Sequence, residues 1–109
     1  MKNMEWLLVA LACAVCSSAA ASSEGQALAF DRKKGNCLAC HQIEGGQLNG
    51  NLGPALVNMK QRFTDRLSLR ARIQDAQSLN PNSLMPPFGR NGILTAREID
   101  QITDFVYSL

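Results

Sequence analysis

The sequence predicts a small all-α protein with a single domain. Apolar residues recur every three or four positions in the second half of the chain, and no segment has the alternating or continuous β-branched pattern of a strand. A chain of 109 residues has room for one ordinary domain. With 46% hydrophobic residues and a net charge of +2, the chain fits neither a disordered protein nor a protein that binds a nucleic-acid backbone.

Residues 1–21 have the layout of a cleaved secretory signal peptide. A lysine precedes an apolar run over residues 6–16, and small residues follow that run. Ala19 and Ala21 fit the small-x-small rule, so we expect cleavage after Ala21 and a mature domain of residues 22–109.

Two alternatives to cleavage after Ala21 concern the membrane. The apolar run is shorter than the roughly 20 residues that a spanning helix needs, so no stable membrane insertion is expected after cleavage. Lipid modification of Cys13 at a bacterial lipoprotein site is the other alternative, and the preceding Ala-Leu-Ala fits that site poorly.

The segment Cys37-Leu38-Ala39-Cys40-His41 has the C-x-x-C-H pattern of covalent haem attachment, and His41 is the only histidine of the chain. In such a site the two thiols add to the vinyl groups on one edge of the porphyrin, and the adjoining imidazole binds the iron. A helical turn brings the three side chains together. We therefore predict one haem c, attached through Cys37 and Cys40, with His41 as an iron ligand.

Other uses of these cysteines fit the sequence less well. A structural zinc ion needs four Cys or His ligands, and residues 22–109 contain three. A thioredoxin-like redox pair needs a βαβ context, which no strand pattern provides. A plain disulfide between Cys37 and Cys40 remains the open alternative.

The second axial ligand is predicted among the methionines, because a thioether opposite an imidazole is the usual arrangement in cytochromes c. Met85 lies in residues 80–89, where three prolines exclude a helix interior and stiffen the loop. A stiff loop loses little entropy when a weakly binding thioether is fixed. We predict Met85 as the ligand rather than Met59, which lies closer to the haem motif. The alternative for Met85 is a role as ordinary core filling.

Three helices are predicted from apolar periodicity. The first covers residues 24–34 and stops at Gly35, the second covers residues 66–76, and the third starts at the capping box Thr95–Glu98 and runs to Leu109. We expect the third helix to pack on the first near Phe30.

Residues 45–56 contain several glycines and predict turns. Within them, the carbonyl of Pro54 is a candidate acceptor for the free N–H of His41, a contact that would fix the tautomer of the ligand. Four arginines are expected mostly to solvate a helix face rather than to contact haem propionates: Arg62, Arg66, Arg70 and Arg72. No nucleophile, acid or base remains near the cofactor, so no catalytic residue is predicted.

Four segments closely resemble the SoxX family, the monohaem cytochrome c subunits of the SoxAX complexes of bacterial thiosulfate oxidation. The segments are GNCLACH (35–41), NLGPAL (51–56), NPNSLMPPFGR (80–90) and ILTAREIDQITDFVYSL (93–109). The third segment, running into the fourth, is the most specific part of this resemblance.

This resemblance implies a class I cytochrome c-like fold wrapped around one haem c, in a periplasmic protein that pairs with a SoxA subunit. It implies that Cys37 and Cys40 hold the haem, that His41 and Met85 ligate the iron, and that Pro54 supplies the orienting carbonyl. The complex in that family is an L-cysteine S-thiosulfotransferase, which joins thiosulfate to a cysteine of the SoxYZ carrier. The SoxX subunit passes electrons to a small cytochrome acceptor, so this chain would be an electron relay rather than the catalytic subunit.

A free-standing soluble periplasmic electron carrier is the alternative function. Such a carrier docks transiently and would use a charged rim around the haem edge, whereas a subunit of a stable complex would use an apolar patch.

Overall fold

The computed structural model describes residues 16–109, and this stretch is helical without strands, which confirms the predicted all-α class. Its elements are α1 (Cys16–Phe30), a 3₁₀ turn (Cys37–Ala39), α2 (Met59–Arg62), α3 (Arg66–Leu79) and α4 (Ala96–Tyr107). Residues 1–15, with most of the predicted signal peptide and with Cys13, lie outside the described part. Among residues 16–109, no helix is both long and apolar enough to cross a bilayer.

Helices α1 and α4 form the main helix pair of the fold. Gly25 of α1 is buried at the crossing, where a Cβ atom would lie 2.8 Å from Cβ of Phe105 and would overlap the carbonyl of Gln101. The rings of Phe30 and Phe105 pack edge to face with 5.9 Å between their centroids. The predicted packing of the last helix on the first near Phe30 is therefore confirmed.

The core between the helices is apolar. Its buried members are Ala29, Ile43, Leu56, Met59, Leu69, Ile73, Phe88, Leu94, Ile99, Ile102, Phe105 and Val106. One side of this core is the wall of the cleft described below.

The predicted bounds of α1 are wrong at both ends. The helix ends at Phe30 rather than at Lys34, because Asp31 closes a turn: its carboxylate accepts the N–H of Lys33 at 2.8 Å, and its carbonyl accepts that of Lys34 at 3.0 Å. Within the described residues the helix already covers Cys16–Phe30, so Glu24 is not its first residue, and the predicted cleavage site after residue 21 lies within the helix.

The capping box at the start of α4 is confirmed. The Thr95 hydroxyl accepts the N–H of Glu98 at 3.1 Å, and the Glu98 carboxylate accepts the N–H of Thr95 at 3.0 Å. The helix ends at Tyr107, two residues earlier than predicted, where the Ser108 N–H bonds to the carbonyl of Phe105 at 3.1 Å.

Helix α3 extends to Leu79 instead of ending at Ala76, and its helical backbone is interrupted at Asp75. Leu69 and Ile73 of α3 are buried and belong to the core.

The expectation that the arginines mostly solvate a helix face is wrong for two of them on α3. Arg66 pairs with Asp104 at 2.5 Å and Arg70 pairs with Asp100 at 2.6 Å, so both fasten α3 to α4. Arg62 donates to the carbonyl of Ala55 at 2.9 Å.

Candidate haem site

A cleft on one side of the core contains the predicted haem-binding residues. This cleft is partly open to solvent. The residues that line it are Cys37, His41, Leu56, Ile73, Met85, Phe88, Leu94, Ile102 and Val106. Apart from a thiol, an imidazole and a thioether, the wall is therefore made of hydrocarbon.

The C-x-x-C-H motif forms a compact turn at one side of the cleft. The carbonyl of Cys37 accepts the N–H of Cys40 at 3.2 Å and that of His41 at 2.9 Å, which gathers the three side chains on one turn. Asn36 begins this turn in the left-handed region, with φ of 50°, where asparagine is better tolerated than most residues.

Cys37 and Cys40 are not joined to each other, so both sulfur atoms are free for attachment to a haem. Burial raises the pKa of the Cys37 thiol to about 11, so this group is uncharged at neutral pH and suits the apolar wall that it joins.

Two residues of the turn-rich loop fix the orientation of His41. Its Nδ1 atom lies 2.7 Å from the carbonyl oxygen of Pro54, so Nδ1 donates its proton there and Nε2 is left as the free nitrogen of the ring. This is the contact that the sequence predicted for Pro54.

Gly53, which the sequence reasoning missed, packs directly on the imidazole. A Cβ atom at this position would lie 2.7 Å from Nδ1 of His41, so a larger residue would displace the ring. The N–H of Gly53 also bonds to the carbonyl of Cys40 at 2.7 Å, which holds the loop against the motif. The position of Gly53 directly before Pro54 was the available signal.

The two candidate methionines lie in different places. Met59 is 1% exposed in the core, its N–H bonds to the carbonyl of Leu109 at 3.0 Å, and its sulfur lies 3.4 Å from Nη1 of Arg62. Met85 is half-buried and lines the same cleft as Cys37 and His41. Of the two, Met85 is therefore the one whose thioether borders the predicted site.

The donor set of this cleft fits haem c. Two thiols suit the porphyrin vinyl groups, an oriented imidazole and a thioether are the usual axial pair, and hydrocarbon walls suit the porphyrin faces. The donors converge on one space rather than being scattered over the molecule.

Comparisons with known proteins identify the family. Residues 20–106 match the family model described as cytochrome c oxidase, cbb3-type, subunit III. The fold resembles the crystal structure of SoxXA from P. pantotrophus, with a TM-score of 0.71, 25% sequence identity and coverage of 80% of both chains. An uncharacterized lipoprotein of Aquifex aeolicus (strain VF5) is 37% identical over 76 residues. That match covers 69% of this chain but only 37% of the lipoprotein, so the chain spans little more than a third of that relative.

These matches agree with the architecture and with the donor set of the cleft. The fold is that of a small class I cytochrome c, similar to SoxX. The cofactor is haem c, and Cys37 and Cys40 fit its covalent attachment. The chain therefore belongs to the cytochrome c family of the cbb3-type subunit III model, as a SoxX-like monohaem electron-transfer cytochrome.

Proposed function

We propose that this protein is the electron-relay subunit of a SoxAX-type complex, in which it pairs with a SoxA-like cytochrome. Two observations support this proposal. The fold matches a SoxXA crystal structure, and residues 80–90 and 93–109 resemble SoxX in sequence. In the proposed complex, the partner carries out the joining of thiosulfate to a SoxYZ-like carrier, and a small cytochrome receives the electrons.

We propose that His41 and Met85 are the two axial ligands of the iron and that Pro54 keeps the imidazole of His41 in its binding orientation. A haem bound in the cleft supplies an iron that changes reversibly between two oxidation states. If His41 and Met85 both hold the iron of a bound haem, this subunit would exchange electrons without offering substrate a place to bind. The hydrocarbon residues of the cleft would cover part of a bound haem and limit its contact with water.

The single observation that favours a stable partner over a transient one is a set of exposed leucines on two segments that carry no ionisable residues of their own, although Arg62 and Arg90 contact these segments from outside. Residues 45–59 and 76–89 contain no Asp, Glu, Lys or Arg. They expose large apolar side chains: Leu48 is 87%, Leu52 77% and Leu84 83% exposed. We call these three leucines, with the two segments that carry them, the uncharged face.

The uncharged face lies next to the haem-binding residues in the chain. Leu52 directly precedes Gly53, which packs on His41, and Leu84 directly precedes Met85. A transiently docking carrier relies on charged groups at this place, whereas exposed apolar patches mark stable protein interfaces. The pattern therefore favours the relay subunit over the free-standing carrier.

The test uses the haem-loaded protein and the SoxA-type cytochrome of the same organism. We expect a one-to-one complex whose affinity changes little with salt, and we expect Leu52→Lys and Leu84→Lys to weaken it by at least about tenfold. Leu67→Lys is the matched control, because Leu67 is a 70% exposed leucine on α3, outside the uncharged face. Sedimentation velocity and binding titrations measure both effects.

Two results would contradict the proposal. If the wild-type chain stays monomeric beside the SoxA-type cytochrome, the protein is a free-standing carrier. If Leu67→Lys weakens the complex as much as Leu84→Lys does, the uncharged face is not the interface.

We also propose that the protein is exported to the periplasm and cleaved after Ala21. The signal-like residues 1–21 and the similarity to a lipoprotein support export. The intact mass of the native protein tests this proposal: cleavage after Ala21 gives residues 22–109 plus one haem, and a chain that begins at a lipid-modified Cys13 would contradict it.

A further inference from the structure

We propose that Asp75 and Arg90 form a clamp that positions the Met85 loop, residues 80–90, and so keeps the thioether of Met85 at the haem site. The inference rests on the proposed ligation of the iron by Met85 and is independent of the proposed SoxA partner. It starts from the interruption of α3, which the sequence did not predict.

The interruption of α3 frees a backbone acceptor for the Met85 loop. Asp75 has an extended backbone, with φ of −160° and ψ of 83°, in the middle of helical neighbours. In a continuous helix the carbonyl of Gln74 would accept the N–H of Ser78. Here it accepts the N–H of Gly89 at 2.9 Å, which ties the C-terminal end of the loop to α3.

The side chain of Asp75 compensates for the lost helical bond and also reaches the loop. Its Oδ1 accepts the N–H of Ser78 at 3.2 Å, so Asp75 caps the last turn of α3. Its Oδ2 lies 3.3 Å from Nη1 of Arg90. The Asp75 side chain is only 17% exposed, so its ion pair is better shielded from water than an ordinary surface pair.

Arg90 continues the connection towards Met85. Its Nη2 donates to Oε1 of Gln77 at 2.7 Å, and Nε2 of Gln77 donates to the carbonyl of Ser83 at 3.4 Å. The hydroxyl of Ser83 in turn accepts the N–H of Met85 at 3.2 Å. A chain of polar contacts thus runs from the α3 interruption to the backbone of the proposed ligand.

A thioether binds iron weakly, so its occupancy depends on how little freedom the loop loses on binding. Tying the loop at Gly89 and at Ser83 removes that freedom before ligation. Asp75 and Arg90 are therefore positioning residues, since neither of them lines the cleft. Loosening them should make Met85 easier to displace from the iron by a competing ligand.

The experiment measures imidazole binding to the haem-loaded protein, followed by the loss of the weak red-edge absorption of the sulfur–iron bond. We expect Asp75→Asn and Arg90→Gln each to bind imidazole about fivefold more tightly, which corresponds to the loss of one partly shielded ion pair. Because the two residues act as one unit, the double variant should show little more than either single variant.

The Arg66–Asp104 pair provides the matched control, because it joins α3 to α4 and the hydrogen bonds of Arg66 go to Asp100 and Asp104 rather than to the Met85 loop. Asp104→Asn should leave imidazole affinity unchanged even where it lowers the melting temperature. Equal imidazole affinities in Asp75→Asn, Asp104→Asn and the wild type would overturn the clamp. A red-edge band that survives in Met85→Ala would instead overturn the ligation on which the clamp rests, and neither result bears on binding of a SoxA-type partner.

Discussion

At the scale of single residues, the two methionines have different roles, although both are large flexible apolar side chains. Met85 borders the cleft with His41, while Met59 is enclosed in the core. Sequence context favoured Met85 through its prolines, but only the structure shows where the sulfur of Met59 lies.

Met85→Ala and Met59→Ala should therefore affect different properties of the protein, the first its absorption spectrum and the second its stability. We expect Met85→Ala to abolish the red-edge sulfur–iron band with a small change in stability. Met59→Ala should keep the band and lower the free energy of unfolding by about 2–5 kcal/mol, because it opens a cavity in the core. Absorption spectra and denaturant titrations of both proteins measure this contrast, and loss of the band in Met59→Ala would reverse the assignment.

Much of the site was predictable at this scale because its chemistry is local in sequence. Cys37, Cys40 and His41 lie within five consecutive residues. Pro54 was predicted because its carbonyl suits the free N–H of His41. Gly53 was missed because a glycine contributes no group of its own, and its contact with the imidazole exists only in three dimensions.

At the scale of helices, the ends and interruptions were predicted less well than the helices themselves. The apolar stripes identified α1, α3 and α4, and the capping box gave the start of α4. Asp31 ends α1 early and Asp75 interrupts α3, because a short carboxylate can bond to nearby backbone N–H groups and replace the helical bond. Aspartates within a periodic segment were therefore the signal that apolar periodicity overlooks.

At the crossing of α1 and α4, replacing Gly25 with Ala should lower the stability of the protein, although Gly→Ala in a helix usually raises it. In an exposed helix, Gly→Ala stabilises by about 1 kcal/mol. Gly25→Ala should instead destabilise the protein by about 1–3 kcal/mol, because the new methyl group would overlap the Gln101 carbonyl and push the helices apart. Denaturant titration decides the sign, and a more stable variant would contradict the close crossing.

At the scale of the whole molecule, folding lowers the pKa of three carboxyl groups within residues 16–109. Hydrogen bonds from Arg70 lower the pKa of Asp100, and the backbone N–H groups of Thr95 and Ser68 lower those of Glu98 and Asp65. Their ordinary values are 3.8 for Asp and 4.5 for Glu.

Groups with a lowered pKa in the folded state add stability above their ordinary pKa and lose it as the pH falls through the folded pKa. We therefore expect the free energy of unfolding to be nearly level above about pH 5 and to fall below the ordinary values. In Asp100→Asn the free energy of unfolding should decrease less steeply as the pH falls. Urea titrations at several pH values across the acidic range test this expectation. An unchanged slope in Asp100→Asn would contradict the role of this group.

The sequence shows which segments lack charged residues, but it does not show whether those segments lie on the surface. The lack of ionisable residues in 45–59 and 76–89 can be read directly, but a buried segment would have the same composition. Exposure of Leu48, Leu52 and Leu84 distinguishes a surface from a core, and exposure depends on how the loops lie on the helices.

The pairing of α1 with α4 also bears on the order of events during biosynthesis. Glu24 and Gln101, which bond to each other across that pair, are 77 positions apart. A chain that crosses the membrane starting from its N-terminus therefore cannot form this helix pair until residues near Tyr107 have emerged. The thiols of Cys37 and Cys40 stay accessible throughout that delay, so we expect the porphyrin to be joined before the polypeptide closes around it.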